Sequence, residues 1–323
     1  MINLLYCFDN NYNYQAFSSI ISILDRVNEE INIFVIHKNQ NNDNFFPHKI
    51  KNHKNLKNLD VKIFDKQISN FPNLFDAHVS EATYYRLFCS DYLPDNIETI
   101  LYIDADIICI SNPINLIKNN IKALLRSDKV ISSKTELFKS NSNQNVFNRL
   151  DMTSSRYFNA GVMNINYKKW KELDVDFNQK LNEYSELLEY WDQDLLNHIF
   201  DGNYEELDPK LNKVVDFAFY EYSKENLDIK SVVEDSSLIH FAGSHKPWSV
   251  NGIMCNLSEI YQTEFRKISK NTYHITHKIR SLSIYIFLKN LANLKFFKIQ
   301  YKIYFLVELI KSLLKVEILK NED

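Results

Sequence analysis

The sequence predicts an α/β fold in which a domain with a mostly parallel central sheet is followed by a C-terminal helical appendage. Short apolar runs alternate with segments of helical periodicity along most of the 323 residues, and this alternation is typical of a parallel sheet covered by helices. With 45% hydrophobic and 24% charged residues, the composition is that of an ordinary globular protein. Only four glycines are present, which disfavours a fold built around a Gly-rich phosphate loop.

The strand and helix signals are clearest in the first two thirds of the chain. The apolar segment 3–8 is the first predicted strand, and a helix follows with an apolar face formed by Phe17, Ile20, Ile21 and Leu24. Ser80 is the expected N-cap of a helix over 81–90. Further strands are predicted at 31–36, 61–64, 100–103, 162–165 and 237–241.

The charge distribution separates a main domain from the appendage. We place the main domain at 1–257 and the appendage at 258–323, where the sequence becomes basic, aromatic and helical in pattern. The formal net charge is only −3, yet the segment 266–320 carries 12 Lys and Arg residues against two Glu. An acidic body joined to a basic tail indicates an anionic partner for the tail.

Several features favour a cytoplasmic protein. The four cysteines have neither C-x-x-C nor metal-finger spacing, and free thiols in a reducing compartment are expected for Cys7, Cys89, Cys109 and Cys255. The N-terminal segment MINLLYCFDNN has no basic n-region and no long apolar h-region, so we do not interpret it as a signal peptide. No apolar run reaches the roughly 18 residues of a membrane span.

Two aspartates follow an apolar strand in the segment IETILYIDADIICI. Asp104 and Asp106 are predicted to continue this strand, where residues i and i+2 point to the same side and lie about 6.5–7 Å apart. Both carboxylates could then bind one divalent cation, and carboxylate oxygen suits Mg²⁺ or Mn²⁺. The alternative is a strand end whose carboxylates are solvated or cap a helix. The D-x-D pair alone therefore predicts a metal site only weakly.

Five ordered motifs strengthen that interpretation. They lie within a stretch of similarity over roughly residues 2–248 and are HVSEATYYRL at 78–87, LYIDADI at 101–107, YFNAGVMNIN at 157–166, DQDLLN at 192–197 and IHFAGSHKPW at 239–248. Together they resemble glycosyltransferase family 8, the retaining group that includes lipopolysaccharide galactosyl- and glucosyltransferases and relatives of glycogenin. The resemblance implies a GT-A-type nucleotide-diphospho-sugar transferase domain. It also implies transfer of a hexose, glucose or galactose, from a UDP-sugar to a glycan hydroxyl with retention, in the synthesis of lipopolysaccharide or another surface glycan.

The resemblance also assigns roles to individual residues. It implies a Mn²⁺ or Mg²⁺ site formed by Asp104, Asp106 and His240, and it places Asp192 and Gln193 against the reacting sugar as the catalytic residues. The implied contacts to the nucleotide sugar are made by Cys7, Phe8, Asp9, Asn11, Tyr12, His78, Arg86, Asp104, Ala105, Asn159, Gly243 and Lys246.

Each assignment has an alternative that the residues alone leave open. Arg86 could pair with a buried aspartate, Asp192 could only favour a helix N-terminus, and His240 could be a hydrogen-bonded core residue. Asn159 is expected in a turn with Gly161. The nearest candidate for the aspartate that the family often places on the donor sugar is Glu136, whose longer side chain departs from the pattern.

Two mechanisms and two alternative functions remain open. Either Asp192 or Gln193 acts briefly as a nucleophile, or the acceptor attacks from the side of the leaving group. The rival functions are a sugar-phosphate nucleotidyltransferase, whose Gly- and Arg-rich loop is missing from CFDNNYNYQ, and an inactive nucleotide-sugar- or glycan-binding homologue.

The tail is predicted as a basic amphipathic helix in which three lysines form one stripe and four aromatic residues crowd another side. The lysines are Lys295, Lys298 and Lys302, and the aromatic residues are Phe297, Tyr301, Tyr304 and Phe305. Such a helix suits an anionic membrane surface, which would place the enzyme peripherally on the inner face of the cytoplasmic membrane, near an oligosaccharide or lipid-linked glycan acceptor. The alternatives are packing on the main domain or an oligomer contact. No nucleic-acid-binding module is recognised.

Overall fold

A seven-stranded sheet lies at the centre of the protein. The computed structural model describes residues 1–68, 71–74, 80–136, 143–223, 227–277 and 279–319. The strands within these ranges are β1 (Asn3–Phe8), β2 (Ile31–His37), β3 (Leu56–Ile63), β4 (Thr99–Ile103), β5 (Ile107–Cys109), β6 (Ile131–Thr135), β7 (Phe158–Asn166), β8 (Glu205–Glu206), β9 (Lys213–Asp216) and β10 (Leu238–Ala242).

Helices cover the sheet and form the C-terminal part of the chain. They are α1 (Asn13–Leu24), α2 (His48–Lys51), α3 (Ile114–Arg126), α4 (Asn143–Arg149), α5 (Tyr167–Lys171), α6 (Phe177–Glu183), α7 (Trp191–Phe200), α8 (Phe217–Ser223), α9 (Ile229–Glu234), α10 (Ser258–Ile268), α11 (Arg280–Ala292) and α12 (Lys302–Leu319). Shorter 3-10 segments occur at Asn10–Tyr12, Glu81–Asp91, Pro209–Leu211, Gly252–Met254 and Lys295–Lys298.

The strand order of the main sheet is β3-β2-β1-β4-β7-β6-β8. β3, β2, β1 and β4 pair in parallel, and β8 pairs in parallel with β6. β7 is antiparallel to both of its neighbours, β4 and β6. The predicted α/β fold with a mostly parallel sheet is therefore confirmed. In such a sheet the carboxyl ends of neighbouring parallel strands meet at one edge, where ligands commonly bind.

A second, three-stranded sheet in the order β5-β10-β9 brings distant segments together. β5 and β10 are antiparallel, with Ile107 opposite His240. β9 runs parallel to β10 on its other side, with Val214 opposite His240. This pairing brings the residues that precede β5 and β9 close to the middle of β10.

The sheet is buried on both faces, as the continuous apolar strands indicate. Alternate residues of β1 enter different cores: Leu4 and Tyr6 pack with α1 and α3, whereas Leu5 and Cys7 pack with the 3-10 segment Glu81–Asp91, α5 and α7. The parallel pairing of β1 with β4 places the carboxyl ends of these two strands side by side.

Four predicted elements differ from those observed. β7 begins at Phe158 rather than at residue 162. β3 begins at Leu56 rather than at residue 61. The predicted helix over 81–90 is a 3-10 segment, Glu81–Asp91, with a non-helical residue at Phe88, and the Ser80 side chain makes no capping hydrogen bond. β4 ends at Ile103, before the two aspartates, because the chain turns there to pair β5 with the second sheet.

The C-terminal helices pack against the main domain. Phe305 and Leu309 of α12 are buried in an apolar cluster with Val250, Met254 and Tyr273, so the predicted packing alternative holds for this face. The predicted single lysine stripe is wrong, because Leu294 adopts a left-handed conformation (φ 59°) and the chain is extended at Ile299, which breaks the helix between α11 and α12.

The predicted boundary between residues 257 and 258 stays a prediction. α10, which directly follows it, buries Tyr261 and Phe265 in the core of the second sheet. Among the described residues, no helix combines the length and apolarity needed to cross a membrane.

Candidate active site

A small cleft of about 70 Å³ opens at the carboxyl ends of β1 and β4. Seven residues predicted for the site line it: Cys7, Phe8, Tyr12, Asp104, Ala105, Asp106 and Lys246. A larger cleft of about 600 Å³ lies elsewhere, between the 3-10 segment Glu81–Asp91 and Trp170, and no predicted site residue lines it. We place the candidate site in the smaller cleft because the clustered carboxylates, histidine and lysine are there.

The two aspartates lie in a turn between β4 and β5, not in an extended strand. The backbone amide of Asp104 donates to the Gly161 carbonyl at 2.9 Å, and Ile107 donates back to the Asp104 carbonyl at 3.3 Å. The predicted alternation along a strand is therefore wrong as the reason for their proximity. The turn still gathers one ligand atom each from Asp104, Asp106 and His240 within 4.8 Å of one another.

Asp106 is buried between Lys246 and His240. Its Oδ2 accepts a hydrogen bond from Lys246 Nζ at 2.6 Å, and its Oδ1 lies 3.4 Å from His240 Nε2. Burial raises the pKa of the Asp106 carboxyl, but the charges of Lys246 and His240 outweigh it, so the net pKa is lowered from its usual value. Asp106 is therefore held as a carboxylate.

The donor set fits a divalent cation. Asp106 Oδ1 is buried and accepts no hydrogen bond from any described residue, and an orphaned carboxylate oxygen is costly unless something else binds it. Two carboxylates and one imidazole are ligands that suit Mn²⁺ or Mg²⁺. A cation among these three residues would satisfy the orphaned oxygen.

Asp104 is tied to the opposite side of the cleft. Its Oδ1 accepts a hydrogen bond from the Tyr102 hydroxyl at 2.5 Å and lies 3.2 Å from Arg86 Nη2. The Arg86 guanidinium also stacks on the Tyr102 ring, with its carbon 4.0 Å from the ring centroid. Arg86 is 3% exposed, so its charge is compensated by the protein itself, as the structural alternative predicted. Direct contact of Arg86 with a ligand stays a prediction.

Asp192 is the second partner of Arg86. Its Oδ2 lies 2.8 Å from Arg86 Nε, and its Oδ1 accepts a hydrogen bond from the Thr83 hydroxyl at 2.7 Å. Burial raises the pKa of Asp192 from 3.8 to about 6, although Arg86 and Thr83 act in the opposite direction. Asp192 lies in the first turn of α7, as predicted.

Gln193 is held by the backbone of β7. Its Oε1 accepts from the Ala160 amide at 2.9 Å, and its Nε2 donates to the Tyr157 hydroxyl at 3.1 Å. Tyr157 in turn donates to Asp194 at 2.6 Å. The Gln193 amide therefore has one orientation. Trp191, two residues before Gln193, has a positive φ of 52°, a backbone strain of the kind found at functional sites.

Asn159 lies within β7 rather than in the predicted turn. β6 shifts register against β7 between Ser133 and Lys134, next to Asn159, and this irregularity opens the strand locally. Asn159 Nδ2 donates to Glu136 at 2.7 Å, and its Oδ1 accepts from Asn212 at 2.9 Å. Burial raises the pKa of Glu136.

The other predicted residues have varied positions. Asp9 is buried and accepts from the amide of the exposed Asn11 at 2.9 Å. The Phe8 ring packs in the core against Phe17 and His37, which leaves its backbone for any ligand contact. Gly243 (φ 73°) leaves room for Asp216, since a Cβ there would lie 2.4 Å from that carboxylate. His78 lies outside the described residues. Each ligand contact assigned to these residues stays a prediction.

Four further residues complete the network: Thr83, Tyr102, Tyr157 and Asn212. Thr83 and Tyr102 are within predicted motifs, one helical turn before Arg86 and two residues before Asp104, so spacing could have indicated them. Tyr157 begins the YFNAGVMNIN motif. Asn212 lies outside every motif, and only the pairing of β9 with β10 brings it to His240.

A solved structure shares the fold of this chain. A galactosyltransferase solved in complex with donor and acceptor sugar analogues superposes with a TM-score of 0.65 at 21% identity, covering 83% of this chain and 97% of the other. The α/β fold is thus of the GT-A type.

The family is shown by the sequence. Residues 3–252 match glycosyl transferase family 8, and the chain belongs to this family. It is 29% identical over 265 residues to the lipopolysaccharide 1,2-glucosyltransferase of Escherichia coli K12, covering 76% of this chain and 72% of the relative. It is 28% identical over 171 residues to the lipopolysaccharide 1,3-galactosyltransferase of Salmonella typhimurium LT2, covering 52% of this chain and 49% of the relative.

Proposed function

We propose that the protein is a retaining, metal-dependent glycosyltransferase that transfers glucose or galactose from a UDP-sugar to a glycan hydroxyl in surface-glycan synthesis. The observation that carries the proposal is the cluster of Asp104, Asp106 and His240, with ligand atoms within 4.8 Å, at the carboxyl edge of the sheet of a family 8 chain. The named activities of the two relatives support a hexose donor and a lipopolysaccharide-like acceptor.

The cation site would stabilise the leaving group of the reaction. Asp104, Asp106 and His240 would hold Mn²⁺ or Mg²⁺, which when bound neutralises the negative charge that develops on the departing diphosphate. Lys246 lies 2.6 Å from Asp106 and is a compact positive charge at the edge of the same cleft. We assign it to the phosphates, where its ammonium would stabilise the leaving UDP.

Asp192 and Gln193 would lie against the reacting sugar. Asp192 Oδ1 accepts a hydrogen bond from Thr83, whereas Oδ2 is ion-paired with Arg86 and accepts no hydrogen bond from the described residues. The buried ion pair with Arg86 favours a role of Asp192 through its negative charge and position. The Gln193 carbonyl accepts one hydrogen bond from Ala160 and keeps a second lone pair. We therefore propose that Gln193 is the group that faces the anomeric carbon and that Asp192 stabilises the positive charge there.

The first test is a panel of UDP-sugars assayed for UDP release, with Asp106→Ala as the inactive control. Release from UDP-glucose or UDP-galactose that requires Mn²⁺ or Mg²⁺ supports the proposal. Formation of UTP from UDP-sugar and pyrophosphate would instead identify a nucleotidyltransferase. Binding of UDP-sugar without turnover on any acceptor glycan would identify an inactive homologue.

The stereochemical proposal has a test of its own. The anomeric configuration of the product, read by NMR from the coupling constant of the anomeric proton, should match that of the donor. Inversion of the configuration would reject the retaining mechanism, whichever donor and acceptor are used.

We also propose that the C-terminal helices contact an anionic membrane surface from the cytoplasmic side. On both helices, exposed apolar residues recur at helical spacing. They are Leu282, Tyr285, Leu288 and Leu291 on α11, and Ile303, Val307, Ile310 and Leu314 on α12. Exposed lysines, Lys289 and Lys311, lie on the same helices. Apolar stripes with adjacent basic residues suit an anionic lipid surface.

Vesicle sedimentation with anionic lipid tests this contact. A variant with Ile303→Ser, Val307→Ser and Ile310→Ser should sediment less with the vesicles than the wild type. The matched control carries Ile63→Ser and Val233→Ser, which replace apolar residues of the main domain that are 39% and 40% exposed, and it should bind as the wild type does. Equal binding by all three proteins would contradict the proposal.

A further inference from the structure

The two ring nitrogens of His240 face groups of different kinds. Nε2 points toward Asp106 Oδ1 at 3.4 Å, beyond the usual length of a hydrogen bond. Nδ1 lies 3.1 Å from Asn212 Oδ1, and both residues are buried. A neutral imidazole carries one N–H and one lone pair, and a metal ion needs the lone pair. The usefulness of His240 as a ligand therefore depends on which nitrogen holds the proton.

Which atom of Asn212 faces His240 is determined by Asn159, which is hydrogen-bonded to Asn212. The Gly161 backbone amide donates to Asn159 Oδ1 at 3.0 Å, and Asn159 Nδ2 donates to the Glu136 carboxylate at 2.7 Å. A backbone N–H can only donate and a carboxylate can only accept. These two fixed groups allow the Asn159 amide one orientation, with its oxygen toward Gly161.

Asn212 transmits this orientation to the histidine. Its Nδ2 donates to Asn159 Oδ1 at 2.9 Å, so its own oxygen must face His240. The Asn212 backbone is held as well, because Lys134 Nζ donates to its carbonyl at 2.9 Å. A flipped Asn212 amide would bring two oxygens together at Asn159, and its NH2 group would then face the ring N–H at His240 Nδ1.

We infer that Asn212, oriented by Asn159 and anchored by Gly161 and Glu136, is a positioning residue that keeps the proton of His240 on Nδ1 and its Nε2 lone pair toward the cation site. The inference rests on the proposed metal site and adds to it a set of residues that do not touch the cation. A ligating histidine whose other nitrogen donates to a fixed acceptor is better oriented and more basic.

The same contacts couple the two halves of the site. Asn159 is the residue assigned to the donor sugar, and it is one hydrogen bond from Asn212 and two from the ligand His240. A change in the hydrogen bonding of Asn159 when the sugar binds would therefore reach His240 directly.

The decisive variant is Asn212→Leu, which keeps the size of the side chain and removes its amide. Asn164→Leu is the matched control, since Asn164 is also a fully buried asparagine of this region, on β7, with its amide bonded to Ser132 and no contact to His240. Asn212→Leu should weaken Mn²⁺ binding, measured by calorimetry or electron paramagnetic resonance, by about 10- to 100-fold. Asn164→Leu should bind Mn²⁺ as the wild type does.

A second readout uses no metal. In ¹⁵N-histidine-labelled, metal-free protein at mildly alkaline pH, the His240 signals, assigned with His240→Gln, should show the proton on Nδ1. In Asn212→Leu the proton should move toward Nε2, which lies 3.4 Å from Asp106 Oδ1, whereas Asn164→Leu should keep the wild-type pattern. Circular dichroism and thermal unfolding confirm that each variant is folded before it is scored.

The outcomes separate the inference from the proposed function. Wild-type Mn²⁺ affinity in a folded Asn212→Leu variant, or a wild-type His240 with its proton on Nε2, would overturn the role of Asn212 while leaving the metal site intact. Failure of the wild-type protein to bind Mn²⁺ with or without UDP would contradict the proposed function, and the histidine spectrum of the metal-free protein would still test Asn212.

Discussion

The guanidinium of Arg86 lies 2.8 Å from Asp192 and bonds at the same time to the Thr83 carbonyl, the Ala160 carbonyl and Asp104. One buried cation thus joins the carboxylate proposed for the sugar side to the carboxylate proposed for the metal side. Removal of one member of a buried ion pair leaves the other charge uncompensated. Arg86 is therefore expected to affect both halves of the site and the stability of the fold.

The first prediction follows from this pairing. Arg86→Met should lower the free energy of unfolding by about 3–5 kcal/mol, because the buried Asp192 and the half-buried Asp104 lose their shared partner, and it should abolish turnover. Urea unfolding and UDP release measure the two effects. Arg156→Met is the matched control, since Arg156 also covers a tyrosine ring, that of Tyr204, but its pairing with Glu206 is half-exposed. Arg156→Met should lower the free energy of unfolding by less than about 1 kcal/mol. Equal losses in the two variants would contradict the assigned role of Arg86.

A second prediction concerns pH. Burial raises the pKa of Asp192 to about 6, so kcat/KM should fall as the pH drops through this value and Asp192 becomes protonated. Thr83→Val removes a hydrogen bond of 2.7 Å that stabilises the ionised form. The acid limb of the pH profile should therefore move to higher pH, by about one unit or more. Thr83→Ser keeps the hydroxyl and should leave the limb in place. An acid limb that Thr83→Val does not move would exclude Asp192 as the titrating group.

The same pKa has a consequence for stability. Because the folded protein binds this proton more tightly than the unfolded chain does, Asp192 makes the free energy of unfolding decrease as the pH rises from about 4 to about 6. Urea unfolding across this range should show a larger decrease in Thr83→Val than in Thr83→Ser. The opposite order would contradict the direction of the pKa shift.

A third prediction tests the space beside His240. A Cβ on Gly161 would lie 2.4 Å from His240 Cε1 and 2.7 Å from Nδ1, closer than packed atoms allow. Gly161→Ala should displace the ring, break its hydrogen bond with Asn212 and weaken Mn²⁺ binding. Val162→Ala, at the next position of β7 and facing the core, should reduce stability without changing the Mn²⁺ affinity. Calorimetric titration of both variants with Mn²⁺ measures this difference. An unchanged Mn²⁺ affinity in Gly161→Ala would mean that the position of the His240 ring does not determine cation binding.

Much of the fold could be predicted from local pattern. β1 has the predicted bounds because its six residues are continuously apolar and are followed by a polar turn. The apolar face of α1 was likewise readable from its helical spacing. Prediction was poorer where the pattern changed without a Gly or Pro signal, as in the kinked 3-10 segment Glu81–Asp91.

The site shows the limit of sequence reasoning more directly. Asp104, Asp106 and His240 were predicted together from their motifs, and the structure brings them together, but by a turn and a second sheet rather than by strand alternation. Asn212 could not be predicted, because its contact with His240 depends on the pairing of β10 with β9, and the segment that contains Asn212 and β9 carries no recognisable motif. The break between α11 and α12 was missed because Leu294 gives no sign of a left-handed conformation in the sequence.

The central claim is that Asp106 and its neighbours hold a divalent cation against a nucleotide diphosphate. Asp106→Asn keeps the size of the side chain and removes the charge opposite Lys246 and His240. Titration of UDP by calorimetry, with Mn²⁺ and with a chelator, tests the claim in the wild type and in this variant. The wild type should bind UDP tightly only with Mn²⁺, and Asp106→Asn should lose that dependence while it remains folded. Wild-type binding of UDP that is equally strong in the chelator would contradict the account.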